Sequence, residues 1–176
     1  MHLRSWRLLA PGLLAALAVA APAGASGPTE IESLDSLDVA IVARINVVRA
    51  RHGLPPFRLS DELQRSADRH SRAMGTLGFF DHNSRDGTTY RARIKRDYPK
   101  GGYRVWDVGE TIEFDSEELD AAIAVSMWMG SPPHREALLS RTWREIGVSA
   151  IHVTSAPRFY EGDDINLVTA DFGVRR

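Results

Sequence analysis

The sequence predicts an α+β fold in which helices come first and antiparallel strands follow. Three observations carry this. Apolar residues recur at helical spacing over 37–48, 63–77 and 119–127. Alternating apolar runs follow at 143–154 and 166–172. The elements do not alternate strand, helix, strand, as a parallel sheet with crossover helices requires.

The chain has 176 residues, enough for one domain plus a short extra segment. Its 43% hydrophobic content supports an ordinary packed core. There is no cysteine, so disulfides, a thiolate nucleophile and cysteine-ligated zinc are excluded. Residues 1–25 read as a secretory signal peptide. Arg4 and Arg7 make a basic start, Leu8 to Ala21 is mostly apolar, and Ala23-Gly24-Ala25 offers small residues before a cut at Ser26. The apolar run carries Pro11 and Gly12 and is short for a membrane span, so no stable span is expected after cleavage. The expected location is secreted, periplasmic or cell-envelope. Removing Arg4 and Arg7 from the 22 basic residues leaves 20 against 23 acidic, a net charge of −3. No clustered basic face marks a nucleic-acid partner.

Residues 26–36 read as a linker or disordered N-terminus, and 37–176 as the domain. Leu37, Ile41, Ile45 and Val48 give a first helix ending at Gly53. Within it, Asn46 is expected to bond a neighbouring loop and Arg49 to be solvated or paired. Ser60 is an N-cap for a second helix, whose stripe is Leu63, Ala67, His70, Met74 and Leu77. His70 on that stripe reads as a hydrogen-bonded core residue. Gly78 to Gly87 breaks the helix and carries Phe79, Phe80 and His82, with the rings packed inward at a cleft edge. A short helix is expected over 89–97. Val105, Val108 and Ile112 lie in an extended run, where Gly109 beside Glu110 signals close backbone approach or a kink that aims the carboxylate. Ser116 is the expected N-cap of a third long helix, within a solvated acidic cluster over 113–120. Arg158–Tyr160 and 166–172 read as two further strands, and His152 as exposed near a strand end.

The stretch Trp128-Met129-Gly130-Ser131-Pro132-Pro133-His134-Arg135 ends one helix and opens another. Ser131 reads as N-cap and Pro132 as a first-turn proline. His134 then lies in the first turn, where the helix dipole disfavours imidazolium and keeps the ring neutral. His82, Glu110 and His134 are expected to meet in one cleft.

These motifs occur in a definite order. Asn46-x-x-Arg49 is followed by Ala67-x-x-His70-Ser71-x-x-Met74 and by Phe80-Asp81-His82-x-Ser84. Gly109-Glu110, Trp128-Met129-x-Ser131-x-x-His134, Glu145-Ile146-Gly147-Val148 and Asp171-Phe172-Gly173 come next. Together they resemble the bacterial branch of the CAP superfamily, or SCP-domain proteins, over about residues 37–174. The resemblance implies a three-layer α-β-α sandwich with a central, mostly antiparallel sheet. It implies a cleft tetrad of two histidines and two acidic residues. His82, His134 and Glu110 match three of these; Ser131 stands at the position of the fourth, and Thr111 replaces an asparagine.

Two neutral imidazoles and a carboxylate (His82, His134 and Glu110) can hold a divalent metal, zinc being the first expectation from the ligand types. The cleft is expected to bind a lipid, a peptide or a cell-envelope glycan, with a metal-dependent hydrolase as the alternative use of the same residues. Ser131 as nucleophile is the weaker enzymatic reading, since no oxyanion-hole motif accompanies it. Phe79, Phe80, Trp106 and Trp128 are candidates for an apolar groove beside the cleft, with core packing preferred for Trp128. The acid–base pair is incomplete, so binding is favoured over catalysis.

Overall fold

The computed structural model describes residues 27–116 and 118–176; the predicted signal peptide lies outside them. In chain order the elements are β1 (Glu30–Ser33), α1 (Asp35–Arg51), β2 (Arg58–Leu59), α2 (Asp61–Leu77), α3 (Tyr90–Asp97) and β3 (Trp106–Asp115). They continue with α4 (Ala121–Gly130), α5 (Pro132–Leu139), β4 (Glu145–Thr154), a single 3-10 turn (Arg158–Tyr160) and β5 (Ile165–Arg175). The sheet order is β1-β4-β5-β3 with antiparallel neighbours, and β2 adds a short parallel pairing to β4.

Alternation along the two central strands builds the layers. Ile146, Val148 and Ala150 of β4 and Val168, Ala170 and Phe172 of β5 face α1, α4 and α5. The residues between them, including Ile151, Val153 and Leu167, face α2. Leu63, Ile94, Tyr98 and Val108 close a smaller cluster under α2 and α3. This is the three-layer α-β-α arrangement the sequence predicts. Trp128 is fully buried in the first cluster, so it is core and not groove.

Asn46 bonds a loop as expected: it donates to the Phe57 carbonyl at 3.1 Å and accepts from the Phe57 N–H at 2.8 Å. Arg49 differs from expectation. It is fully buried, lies over the Phe57 ring and donates to the carbonyls of Pro55, Leu138 and Ser140. Its guanidinium therefore ties α1 to the end of α5 without any carboxylate.

Several local expectations are corrected. Glu30–Ser33, inside the stretch read as linker, is an edge strand paired with β4 at Ile151 to Thr154. Four residues are too few to show a strand period, and the pairing partner supplies the order. Arg158–Tyr160 is a 3-10 turn, not a strand, because Arg158 and Glu161 both adopt left-handed backbone. The N-cap of α4 is Asp120, which accepts from the N–H groups of Ala122 and Ile123, and not Ser116. Ser116 lies just beyond the end of β3, which takes up the first part of the acidic cluster. His152 is half-buried and within 3.1 Å of Asn166 Oδ1.

One buried carboxylate ties the layers together and sets a pH dependence. Asp38 of α1 accepts from the Ala150 N–H of β4 at 2.5 Å and from Gln64 of α2 at 3.3 Å. Burial pushes its pKa up to about 7, against the pull of those hydrogen bonds. A raised carboxyl pKa means the folded state holds the proton more tightly than the unfolded chain. The stability this provides is present below the ordinary carboxylate range and is lost as pH rises towards about 7. Asp38→Asn is expected to match the wild type at pH 4. At pH 8 it should exceed it by roughly 2–4 kcal/mol in urea unfolding. A variant less stable at pH 8 would show that the ionised carboxylate is needed there.

Candidate functional site

β3 is the last strand of the sheet, and the cleft straddles its free edge. The segment after α2 approaches from one layer and the start of α5 from the other. Along this edge lie two hollows. One, of about 330 Å³, is lined by Phe80, Asp81, His82, Ile112, Glu113 and His134. The second, of about 430 Å³, lies along Asp107, Gly109 and Glu110 and is walled by Pro133, Glu136 and Ala137 of α5.

Glu110 is the centre of the site. It does not become the exposed strand carboxylate that most glutamates are; its side chain is fully buried. His82 Nδ1 donates to its Oε1 at 2.9 Å, and Arg93 Nη2 donates to its Oε2. Burial alone would raise its pKa, but the His82 hydrogen bond and the Arg93 charge outweigh it, and the carboxyl stays below its ordinary range. Gly109 is needed beside it. A Cβ there would lie 2.8 Å from the Trp143 ring.

Arg93 and Asp171 belong to this site and are not picked out by the sequence as site residues. Arg93 of α3 is buried and also donates to the His82 carbonyl at 3.1 Å, so it fixes both partners of the His82–Glu110 pair. Asp171 stands opposite Glu110 in the β3–β5 register and is fully buried. Its closest cation is Arg93 Nη1 at 3.8 Å. Burial, and then the neighbouring Glu110 charge, raise its pKa well above the carboxylate range.

His134 reaches the cleft from the first turn of α5 and lines the same hollow as His82. Its pKa is lowered by burial and by the nearby His82, in the direction the sequence predicts. The ring Nδ1 is buried without a hydrogen-bond partner among the described residues. Ser131 occupies the N-cap position of α5, but its hydroxyl makes no capping bond. Pro133 removes the N–H at the second helical position, one of the two donors a cap can serve, and the His134 N–H at the third is left without a bond from Ser131. No Ser131–His134 hydrogen bond forms among the described residues, so the pair lacks the geometry of an activated nucleophile.

His70 lies just behind the site as a core residue, its Nε2 2.9 Å from the Asp81 carbonyl. Burial lowers its pKa to about 4. Of the aromatic candidates, Phe80 lines the cleft. Trp106 instead packs on the α3 side, donating to the Tyr98 carbonyl.

The three-ligand metal set does not fit this geometry. Both carboxylate oxygens of Glu110 are engaged, and among the described residues no group of three His, Cys, Asp or Glu is arranged to hold an ion. What remains for a cation is the imidazole pair of His82 and His134. Glu110 stands behind His82 as an orienting carboxylate.

The comparisons agree with the fold. The chain is 29% identical over 103 residues to the uncharacterized membrane protein YlbC of Bacillus subtilis, covering 58% of this chain and 28% of that protein. It is 28% identical over 120 residues to the uncharacterized protein YkwD of the same organism, covering 68% and 44%. The chain thus spans less than half the length of these two relatives. An extracellular SCP-domain protein from Bacillus anthracis superposes with a TM-score of 0.61 at 25% identity, over 81% of this chain and 41% of that one. An outer surface protein of Borrelia burgdorferi superposes at 0.63 with 23% identity, over 82% and 98%. The profile of the CAP group, described as the cysteine-rich secretory protein family, matches residues 42–169. This chain, though free of cysteine, belongs to the CAP family.

Proposed function

We propose that this is an exported CAP-domain protein whose cleft binds a ligand and does not hydrolyse one. The observation that carries this is the double engagement of Glu110. A hydrolase needs a base free to take a proton from water, and Glu110 is the strongest candidate. With one oxygen on His82 and the other on Arg93, that carboxylate builds the site instead. Export rests on the signal-peptide pattern of residues 1–25 and on the extracellular and outer-surface relatives.

A second reading adds a divalent ion such as zinc on His82 and His134. It is favoured by the unpartnered His134 Nδ1 and by the carboxylate behind His82, an arrangement that leaves the other His82 nitrogen free. Such an ion would supply positive charge for a ligand oxygen.

Calorimetry on the protein with zinc, a seven-residue peptide, a medium-chain fatty acid and an N-acetylglucosamine oligomer tests both readings. At least one organic probe is expected to bind, with a loss of about tenfold or more in His82→Ala. Zinc binding is expected to vanish in His134→Ala and to weaken about 10–100-fold in Glu110→Gln. Organic binding indifferent to His82 would remove the cleft as the binding site, and zinc binding indifferent to His134 would remove the ion.

A further inference from the structure

The free edge of β3 has a pattern of its own. Val105 and Arg176 exchange both backbone hydrogen bonds, which sets the phase of the β3–β5 ladder. The odd-numbered residues of β3 therefore bond to β5. The even-numbered ones, from Trp106 to Phe114, turn their N–H and C=O groups outward.

Two of those outward N–H groups are covered locally. The Asp107 carboxylate accepts from Val108 at 2.9 Å, and the Glu113 carboxylate accepts from Phe114 at 3.3 Å. Between them lie Glu110 and Ile112, whose backbone N–H groups have no partner among the described residues. Glu110 supplies an independent sign that this window is open. Its side chain has no exposed area, yet the residue is partly exposed, so solvent reaches its main chain. An uncovered strand edge invites pairing, and proteins usually blunt it. Here the two ends are blunted, and between them solvent reaches the main chain at Glu110, beside His82 and His134, while Ile112 keeps only 4% of its surface exposed.

From this we propose that the edge of β3 takes an extended, basic peptide segment as an added strand, bonded to the main chain of Glu110 and Ile112. The inference rests on the reading of the cleft as a binding site and names its ligand class. The two hollows line β3 from Asp107 to Glu113, about 20 Å of strand, which suits a segment of six or seven residues. Main-chain pairing gives such a segment affinity, and side chains pointing to alternate walls give selectivity. The walls carry the carboxylates of Asp81, Glu113 and Glu136, while the Arg91 cation is already paired with Asp107. Lysine or arginine at alternate positions answers that charge. An acidic segment or a phosphorylated headgroup would be repelled.

The test uses heptapeptides with alternating lysine and valine, in both phases. Their glutamate counterparts and versions N-methylated at alternate backbone positions complete the set. The readout is calorimetry together with amide hydrogen exchange of the protein. A lysine peptide is expected to bind and to slow exchange at Glu110 and Ile112 by at least tenfold. One phase of N-methylation should weaken it at least tenfold, as should Glu136→Lys on the exposed face of α5. The glutamate peptides should bind at least tenfold more weakly. Binding unaffected by either phase of N-methylation overturns strand pairing. So does a fatty acid or glycan that binds in a His82-dependent way while every lysine peptide fails, and in that case the cleft reading stands. If no probe binds beside His82, both fall.

Discussion

Arg93→Met is expected to destabilise the protein by about 3–5 kcal/mol, the usual cost of stripping one partner from a buried ion pair. Arg93 and Glu110 are both essentially sealed from solvent, and Arg93 is the cation that Glu110 touches. Without it, Glu110 is left as a buried carboxylate facing Asp171 and the His82 imidazole, with no guanidinium beside it. The sign of the pH response should also reverse. In the wild type the Glu110 pKa is lowered, so its contribution to stability is present above the ordinary carboxylate range and lost as pH falls. In the variant the carboxyl has lost its cation, burial dominates, and acid should stabilise relative to neutral pH. Adding Glu110→Gln to Arg93→Met should recover much of the loss, because the uncompensated charge is gone. A loss below about 1 kcal/mol, or no recovery in the double variant, would contradict the role given to this pair.

Gly147→Ala is expected to be the most damaging single-methyl change in the sheet. A Cβ at this position would sit 2.0 Å from the backbone nitrogen of Gln64 and 2.3 Å from the carbonyl carbon of Leu63. Both are main-chain atoms in the first turn of α2, and neither can rotate away as a side chain could. Helix and strand must separate, and with them the face that carries Leu63 and Ile151. The expected result is a protein that fails to fold, or one destabilised by more than about 4 kcal/mol. Gly130→Ala is the control. Nothing lies within 4 Å of its Cβ position, and Gly130 ends α4, so the change should be neutral or stabilising by up to about 1 kcal/mol. Equal tolerance at both positions would mean that α2 does not press on β4.

The fold is legible in the sequence because its layers have clean periods. Leu63, Ala67, His70 and Met74 of the predicted stripe and the alternation of Ile146, Val148 and Ala150 end up buried on the faces they predict, while Leu77, the last residue of that stripe, is exposed at the end of α2. The local devices are less legible. Ser131 stands at the cap position of α5, but its hydroxyl makes no capping bond. Ser116 and Asp120 compete for one helix start, and only packing chooses between them.

The site is legible by half. His82, Glu110 and His134 carry unusual residue types at breaks and beside a glycine, and they do converge. Arg93 gives no such signal. It sits among Arg91, Lys95 and Arg96 in a short helix whose charged residues look alike in sequence, and its burial follows from its contacts with Glu110 of β3 and the His82 carbonyl. Asp171 does leave a trace. A carboxylate inside the apolar run from Val168 to Val174 is out of place unless something charged faces it. Which groups face it depends on the register with β3, and no local pattern sets that register.

The claim on which the rest depends is that ligands enter at the β3 edge between His82 and His134. The direct measurement is a nitrogen-15 NMR titration of the protein with whichever probe binds in calorimetry, followed residue by residue. The largest amide shifts are expected on residues 80–82, 109–113 and 134–137, with His82 and His134 among them. Shifts gathered instead around α1 and α4, or on the outer face of α2, with those three segments unmoved, would place the ligand elsewhere and contradict the claim.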